Sequence, residues 1–62
     1  MTSAERRSRL TALLAKIDQE IAECEDLAAQ EVLAYDEVEY LAIQLKFRRE
    51  MRDRVEAMLA EV

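Results

Sequence analysis

Charged residues of opposite sign occupy separate parts of this chain. Every charged residue from Asp18 to Glu39 is acidic, whereas the nine basic residues all lie before or after that stretch. The last basic residue before it is Lys16, and the first one after it is Lys46. Acidic and basic side chains attract each other at short range. The charge order therefore predicts a chain that folds back on itself near its middle, with acidic residues beside basic ones.

The amino-acid composition predicts that both halves of this hairpin are α-helices. Gly and Pro, which break helices most strongly, do not occur among the 62 residues. No segment alternates apolar and polar residues as a half-buried strand does. A chain of this length forms one domain at most. We expect an all-α fold, a two-helix antiparallel hairpin over residues 1–62, with the first helix at about 3–33, a turn at about 33–36 and the second helix at about 37–62.

Local signals mark where each helix begins. Thr2 and Glu5 have the spacing of a capping box, in which a hydroxyl accepts a hydrogen bond from the amide three residues later. Ser3 is an equally plausible cap one residue later. Asp36 and Glu39 repeat that spacing. We therefore expect Asp36 to cap the second helix, with Tyr35 just outside it.

The first helix carries a heptad pattern of apolar residues. Their spacings alternate between four and three residues, which keeps the side chains along one seam of a helix. The seam consists of Leu10, Leu14, Ile17, Ile21, Cys24 and Ala28. Cys24 is the single cysteine, and we expect it to be a small buried side chain rather than half of a disulfide.

The second helix has an apolar arc that is too wide for one neighbouring helix. The arc covers about 220° at 100° per residue, roughly twice the apolar stripe of an ordinary surface helix. Its members are Val38, Tyr40, Leu41, Ile43, Leu45, Phe47, Met51, Val55, Met58, Leu59 and Val62. We expect a second copy or another protein to cover the remainder. That apolar interface is assigned to Tyr40, Ile43, Phe47, Met51 and Met58.

The distribution of charge along the hairpin favours one arrangement of two copies. The end that holds the turn is strongly acidic, and the end that holds both chain termini is mildly basic. Two such hairpins attract each other most when the acidic turn of one lies beside the basic termini of the other. We therefore expect a homodimer or a larger assembly, with the dimer forming an antiparallel four-helix bundle with two-fold symmetry.

The same fold pairs charged residues across the hairpin. A turn near residue 35 puts Arg52 opposite Asp18 and Arg48 opposite the region of Glu23. We expect ion pairs within the hairpin among these four residues. Exposed pairs contribute only about 0–1 kcal/mol each, so they set the register of the hairpin more than its stability.

Several classes of function lack the residues that they require. The chain has no His, one Cys and no Gly, which argues against the common general base, thiolate zinc sites and glycine-rich phosphate loops. A net charge of −5 argues against general nucleic-acid binding. No apolar run is long enough to span a bilayer. We therefore expect a non-enzymatic cytoplasmic protein with no cofactor, no metal site and no membrane association.

Three functions remain open, and we favour the first. It is a self-associating helical hairpin that acts as a small adaptor or regulator of another protein. The second is an acidic inhibitor that mimics nucleic acid and blocks a basic groove of its partner through Glu31, Asp36, Glu37 and Glu39. The third is an RNA-binding four-helix bundle of the Rop type, which such a dimer resembles in length and architecture.

Overall fold

The computed structural model describes residues 2–30 and 33–62, which form two helices. Helix α1 spans Ser3–Ala28 and helix α2 spans Tyr35–Ala60. The described residues contain no strand, and the predicted all-α fold with two helices is confirmed. Neither α1 nor α2, as far as the chain is described, is long and apolar enough to cross a membrane.

The two helices pack side by side and run antiparallel. At one end of the hairpin, the side chain of Arg7 donates a hydrogen bond to the carbonyl oxygen of Val62. At the other end, Leu27 and Leu41 line the same cavity. The predicted helical hairpin is therefore confirmed.

The contact between the helices is a narrow apolar seam. Ile17 and Ile21 of α1 are buried against Val55 of α2. The partly buried side chains packed around this cluster are Leu10, Leu14, Leu45 and Leu59. Cys24 continues the seam as a half-buried free thiol, whereas Ala28 is exposed. The heptad of α1 therefore marks its packing face correctly up to Cys24.

α1 begins where the sequence predicts. Thr2 has an extended backbone (φ −77°, ψ 161°), and its Oγ1 accepts a hydrogen bond from the Glu5 amide at 3.2 Å. That bond satisfies one of the amide groups that the first turn of a helix leaves free. Of the two residues that the sequence offers as caps, Thr2 is therefore the cap and Ser3 is the first residue of the helix.

α1 ends at Ala28, five residues before the predicted position. The Ala29 amide donates to the Glu25 carbonyl at 3.0 Å, and the Gln30 amide donates to the Leu27 carbonyl at 3.2 Å, which tightens the last turn. The last turn contains no basic residue to stabilise the negative end of the helix dipole, which favours an early end. Residues 31 and 32, which the prediction placed in this helix, lie outside the described residues.

α2 begins two residues earlier than predicted, and its cap is Ala34 rather than Asp36. Ala34 is extended (φ −69°, ψ 154°), and its carbonyl accepts a hydrogen bond from the Val38 amide at 3.1 Å. Tyr35 is the first residue of the helix, not the residue outside it. Asp36 lies in the first turn, where its negative charge is favoured by the positive end of the helix dipole. An acidic first turn is compatible with either cap, which is why the prediction was wrong.

The hairpin is elongated and exposes more surface than a compact protein of its size. Its Cα atoms extend over 47 × 14 × 14 Å, with a radius of gyration of 14.6 Å. A compact domain of this length has a radius of gyration of about 10.6 Å. The accessible surface is 4955 Å², whereas a compact protein of this mass exposes about 4,100 Å².

Candidate interaction surfaces

Helix α2 presents a row of exposed apolar side chains, which we call the outer stripe. Their spacing along the sequence keeps them on one side of the helix. The outer stripe consists of Tyr40, Ile43, Phe47, Met51 and Met58, which are 62%, 47%, 60%, 48% and 42% exposed. These are the residues that the sequence analysis assigns to an apolar interface. Within the hairpin, α1 does not cover them.

The outer stripe is exposed because α2 carries a second row of residues that faces α1. This inner seam has alternating spacings of four and three residues and consists of Leu41, Leu45, Arg48, Arg52, Val55, Leu59 and Val62, all buried or half-buried. The centres of the two rows lie about 90° apart around the helix at 100° per residue. One neighbouring helix therefore covers the inner seam and leaves the outer stripe in solvent.

Two leucines of α1 extend the apolar surface beside the outer stripe. Leu13 and Leu27 are 40% and 47% exposed, and they lie fourteen residues apart on one side of α1. Leu27 lines the same cavity as Tyr40, so this side of α1 is the side that adjoins the outer stripe. Neither residue was predicted to belong to an interface, although their spacing of fourteen residues indicates that they share one side of the helix.

An open cavity lies at the turn end of this apolar surface. Its volume is about 390 Å³, and its walls are formed by Leu27, Gln30, Leu33, Asp36, Glu37, Tyr40 and Leu41. The cavity therefore combines apolar walls with the two carboxylates of the first turn of α2. This arrangement suits an apolar side chain that comes with a neighbouring positive charge.

Arg48 is the best-connected charged residue of the inner seam. Its Nε donates to Glu20 Oε2 at 3.2 Å, and its Nη1 donates to Gln44 Oε1 at 2.6 Å. The predicted partner Glu23 instead accepts a hydrogen bond from Gln19 at 3.3 Å. Glu20 lies about 60° nearer to the seam of α1 than Glu23 does, which brings it within reach of Arg48. The expected ion pair of Arg48 is therefore corrected to Glu20.

Two further arginines lie beside carboxylates across the hairpin. Arg52 Nη1 lies 3.7 Å from Asp18 Oδ1, the partner expected from the register. Arg49 Nη2 lies 3.6 Å from Glu25 Oε1. Among the described residues, the buried Nε of Arg52 has no hydrogen-bond partner, and Glu56 Oε1 is 3.8 Å from it. Arg52 is thus held by long ion pairs, unlike Arg48.

These two ion pairs lie away from the apolar surface. Asp18 is about 140° from Leu13 around α1, and Arg49 is about 160° from Phe47 around α2, at 100° per residue. The hairpin therefore has one broad apolar side and one broad charged side. Such a division is typical of a helical unit that packs on one side only.

The acidic residues at the turn form the second candidate surface. Asp36, Glu37 and Glu39 are all exposed, and none of them joins an ion pair within residues 2–30 and 33–62. Glu31, which the sequence analysis also assigns to this surface, lies outside the described residues. In the part of the chain that is described, no group of acidic and thiol side chains is arranged to hold a metal ion.

Comparisons with protein families, with curated proteins and with solved structures found no match to this chain.

Proposed function

We propose that this protein is a non-enzymatic interaction module, a self-associating helical hairpin that serves as a small adaptor or regulator of another protein. The observation that carries the proposal is the outer stripe of α2. Its five large apolar side chains are each at least 42% exposed. Contiguous apolar surface of this kind on a soluble protein marks a site of interaction.

The overall dimensions support the same proposal. The hairpin exposes 4955 Å², about 800 Å² more than a compact protein of its mass. Burial of apolar surface is the main favourable contribution to folding. The described residues of this 62-residue chain include four buried apolar side chains, so the chain gains stability by associating through its exposed ones.

The experiment is a binding assay with the purified hairpin as bait and cell lysate as the source of partners. Phe47→Ala removes a side chain that is 60% exposed at the centre of the outer stripe, and Tyr35→Ala removes an aromatic residue that is 83% exposed but lies off the stripe. We expect Phe47→Ala to abolish capture, because it disrupts the self-associated form that binds the partner, and we expect Tyr35→Ala to leave capture unchanged. Capture that survives Phe47→Ala would contradict the proposal. Circular dichroism checks that both variants are helical.

The second candidate function is the acidic inhibitor, which the exposed carboxylates at the turn favour. Asp36, Glu37 and Glu39 form no ion pair among the described residues and are free to meet a basic partner. Screening by salt weakens such a contact steeply, because exposed charges interact over only ~10 Å at 0.1 M ionic strength. We expect capture to persist in 0.5 M NaCl for the adaptor and to be lost for the inhibitor. Replacing these three residues and Glu31 by Gln abolishes binding only if the protein is the acidic inhibitor.

The RNA-binding bundle is the third candidate, and three arginines of α2 that could bind phosphate already lie beside carboxylates. Arg48, Arg49 and Arg52 each lie within 3.7 Å of a carboxylate of α1. Phosphate binding needs positive charge that is free to displace counterions. We therefore expect nuclease treatment of the lysate to leave the captured protein unchanged. Loss of capture after nuclease treatment would favour RNA binding instead.

A further inference from the structure

We propose that the outer stripe of α2 packs against the same stripe of a second copy of this chain, about a two-fold axis that passes beside Phe47 and perpendicular to the long axis of the hairpin. The inference rests on the proposed self-association and adds the face, the direction and the register of the contact. In this arrangement α2 lies antiparallel to α2 of the second copy, and Phe47 meets its own counterpart.

The apolar sides of two copies can pack together about either of two two-fold axes, and the apolar residues favour one of them. If the axis runs across the hairpin, α2 packs on α2 of the second copy. If the axis runs along the hairpin, α2 packs on α1 of the second copy. The apolar side of α1 offers Leu13 and Leu27, with the charged Glu20 between them. Only α2 has an apolar row long enough to match the outer stripe. Pairing like with like therefore buries the most apolar surface.

The charges on the stripe favour the same direction. Asp36 extends the outer stripe towards the turn at helical spacing, and Arg54 lies within the stripe, between Met51 and Met58 near the termini. An axis at Phe47 brings together residues that are equally distant from it, so Arg54 of the second copy lies opposite Tyr40, one turn from Asp36. An arginine there can stack on the phenol ring and attract the carboxylate. A parallel arrangement would set Asp36 against Asp36 and Arg54 against Arg54.

The cavity at the turn receives an occupant in the same arrangement. Asp18 lies beside Arg52 and Glu20 beside Arg48, and by this register Leu13 is level with residues 55–57, next to Met58 along α2. The two-fold axis carries that end of the second copy over the turn end of the first. Leu13 and Met58 of the second copy then lie above the cavity of about 390 Å³. Two exposed side chains and an open apolar cavity are thus buried together.

The area of the contact is sufficient for a stable dimer. A side of 47 by 14 Å on each copy corresponds to roughly 1,300 Å² for the two copies together, which lies within the range of about 1,200–2,000 Å² that specific interfaces bury. The contact at the cavity occurs twice by symmetry, because the cavity of each copy is covered by Leu13 and Met58 of the other copy.

Disulfide cross-linking tests the register. In a Cys24→Ser background, Ile43→Cys and Met51→Cys are prepared separately, one with a tag that changes its mass, and are oxidised alone and as a mixture. The proposed axis sets position 43 opposite position 51 of the other copy, whereas two copies of position 43 are about 12 Å apart along the helix. We expect a cross-linked product that contains one of each variant, with little product from either variant alone. Asp53→Cys, on the far side of α2, is the control that should not cross-link.

Other outcomes overturn the inference in distinguishable ways. Efficient cross-linking of each variant with itself would show a parallel contact and exclude the proposed direction. A dimer by sedimentation that gives no cross-link would exclude this face of α2 but retain self-association. A monomer by sedimentation that is helical by circular dichroism would exclude the dimer and with it the self-association in the proposed function.

Discussion

Arg48 and Arg52 occupy positions of the inner seam where a leucine would bury more apolar surface. The guanidinium of Arg48 donates hydrogen bonds to Glu20 and Gln44, whereas the Nε of Arg52 has no hydrogen-bond partner in the part of the chain that the structure describes. Partly buried charges add little net stability but fix a register when their partners are in place, because any slip leaves them unpaired. We infer that Arg48 defines how the two helices are aligned along their length.

Truncation of Arg48 should therefore cost more stability than truncation of a neighbouring arginine. We expect Arg48→Ala to lower the free energy of unfolding by about 1–2 kcal/mol, because a charge-assisted hydrogen bond in a half-buried site is lost. Arg49→Ala removes a side chain that is 55% exposed and should change stability by no more than about 0.5 kcal/mol. Urea denaturation measures both values. Equal effects would show that the Arg48 contacts contribute no more than an exposed ion pair.

At the scale of the helices, the cap of α2 is its weakest feature. Ala34 has the backbone conformation of a cap but no side chain that can accept a hydrogen bond from the first turn. α1, by contrast, has the Thr2 hydroxyl bonded to the Glu5 amide. Asp36 contributes only through the helix dipole, so we expect Asp36→Ala to cost about 0.3–1 kcal/mol.

A better cap should therefore stabilise α2. We expect Ala34→Ser to raise the free energy of unfolding by about 1 kcal/mol, because a serine at this position can accept a hydrogen bond from the first turn. The same change at Ala42, which is exposed within α2, should lower it by up to about 0.5 kcal/mol, because serine is a poorer helix former than alanine. Thermal melts of the two variants compare them directly. Destabilisation by Ala34→Ser would place the start of the helix elsewhere.

How far the sequence could predict these helices depends on how local each signal is. The Thr2 cap and the α1 seam were readable because they rest on residues within one or two turns of each other. The inner seam of α2 could not be separated from the outer stripe in the sequence, because Arg48 and Arg52 interrupt the apolar pattern of the inner seam. The start of α2 was placed wrongly because its acidic first turn is compatible with two caps. The apolar candidates and the acidic candidates could be named from the sequence, but the cavity depends on the packing of both helices.

At the scale of the whole molecule, the hairpin has one apolar side and one side with ion pairs. Leu13 and Leu27 join the outer stripe on the first side, while Arg49 and Arg52 pair with α1 on the other. A protein that functions alone gains nothing from such a division, because its apolar side remains in water. If a second copy packs on this side, the four helices of the two copies surround a shared apolar core.

The charged residues on the outer stripe should affect how tightly two copies associate. We expect Arg54→Glu to weaken dimerisation by roughly 3- to 10-fold, because it places an acidic residue one helical turn from Asp36 of the second copy. Adding Asp36→Lys to the same chain should restore most of the affinity. Lys46→Glu makes the same change in net charge off the stripe and should have a smaller effect. Sedimentation equilibrium at low salt measures the affinity of the unchanged chain and of the three variants. Equal weakening by Arg54→Glu and Lys46→Glu would indicate only general charge repulsion between the two copies.

Sedimentation equilibrium of the untagged chain at micromolar concentration measures whether the outer stripe is buried by self-association. We expect a mass of twice the 7.2 kDa of one chain. We also expect Phe47→Asp to reduce this mass to that of a single chain, because an unpaired charge cannot be buried at the two-fold axis without a large cost. A folded chain that sediments as a monomer, or a Phe47→Asp variant that remains a dimer, would show that self-association does not bury the outer stripe.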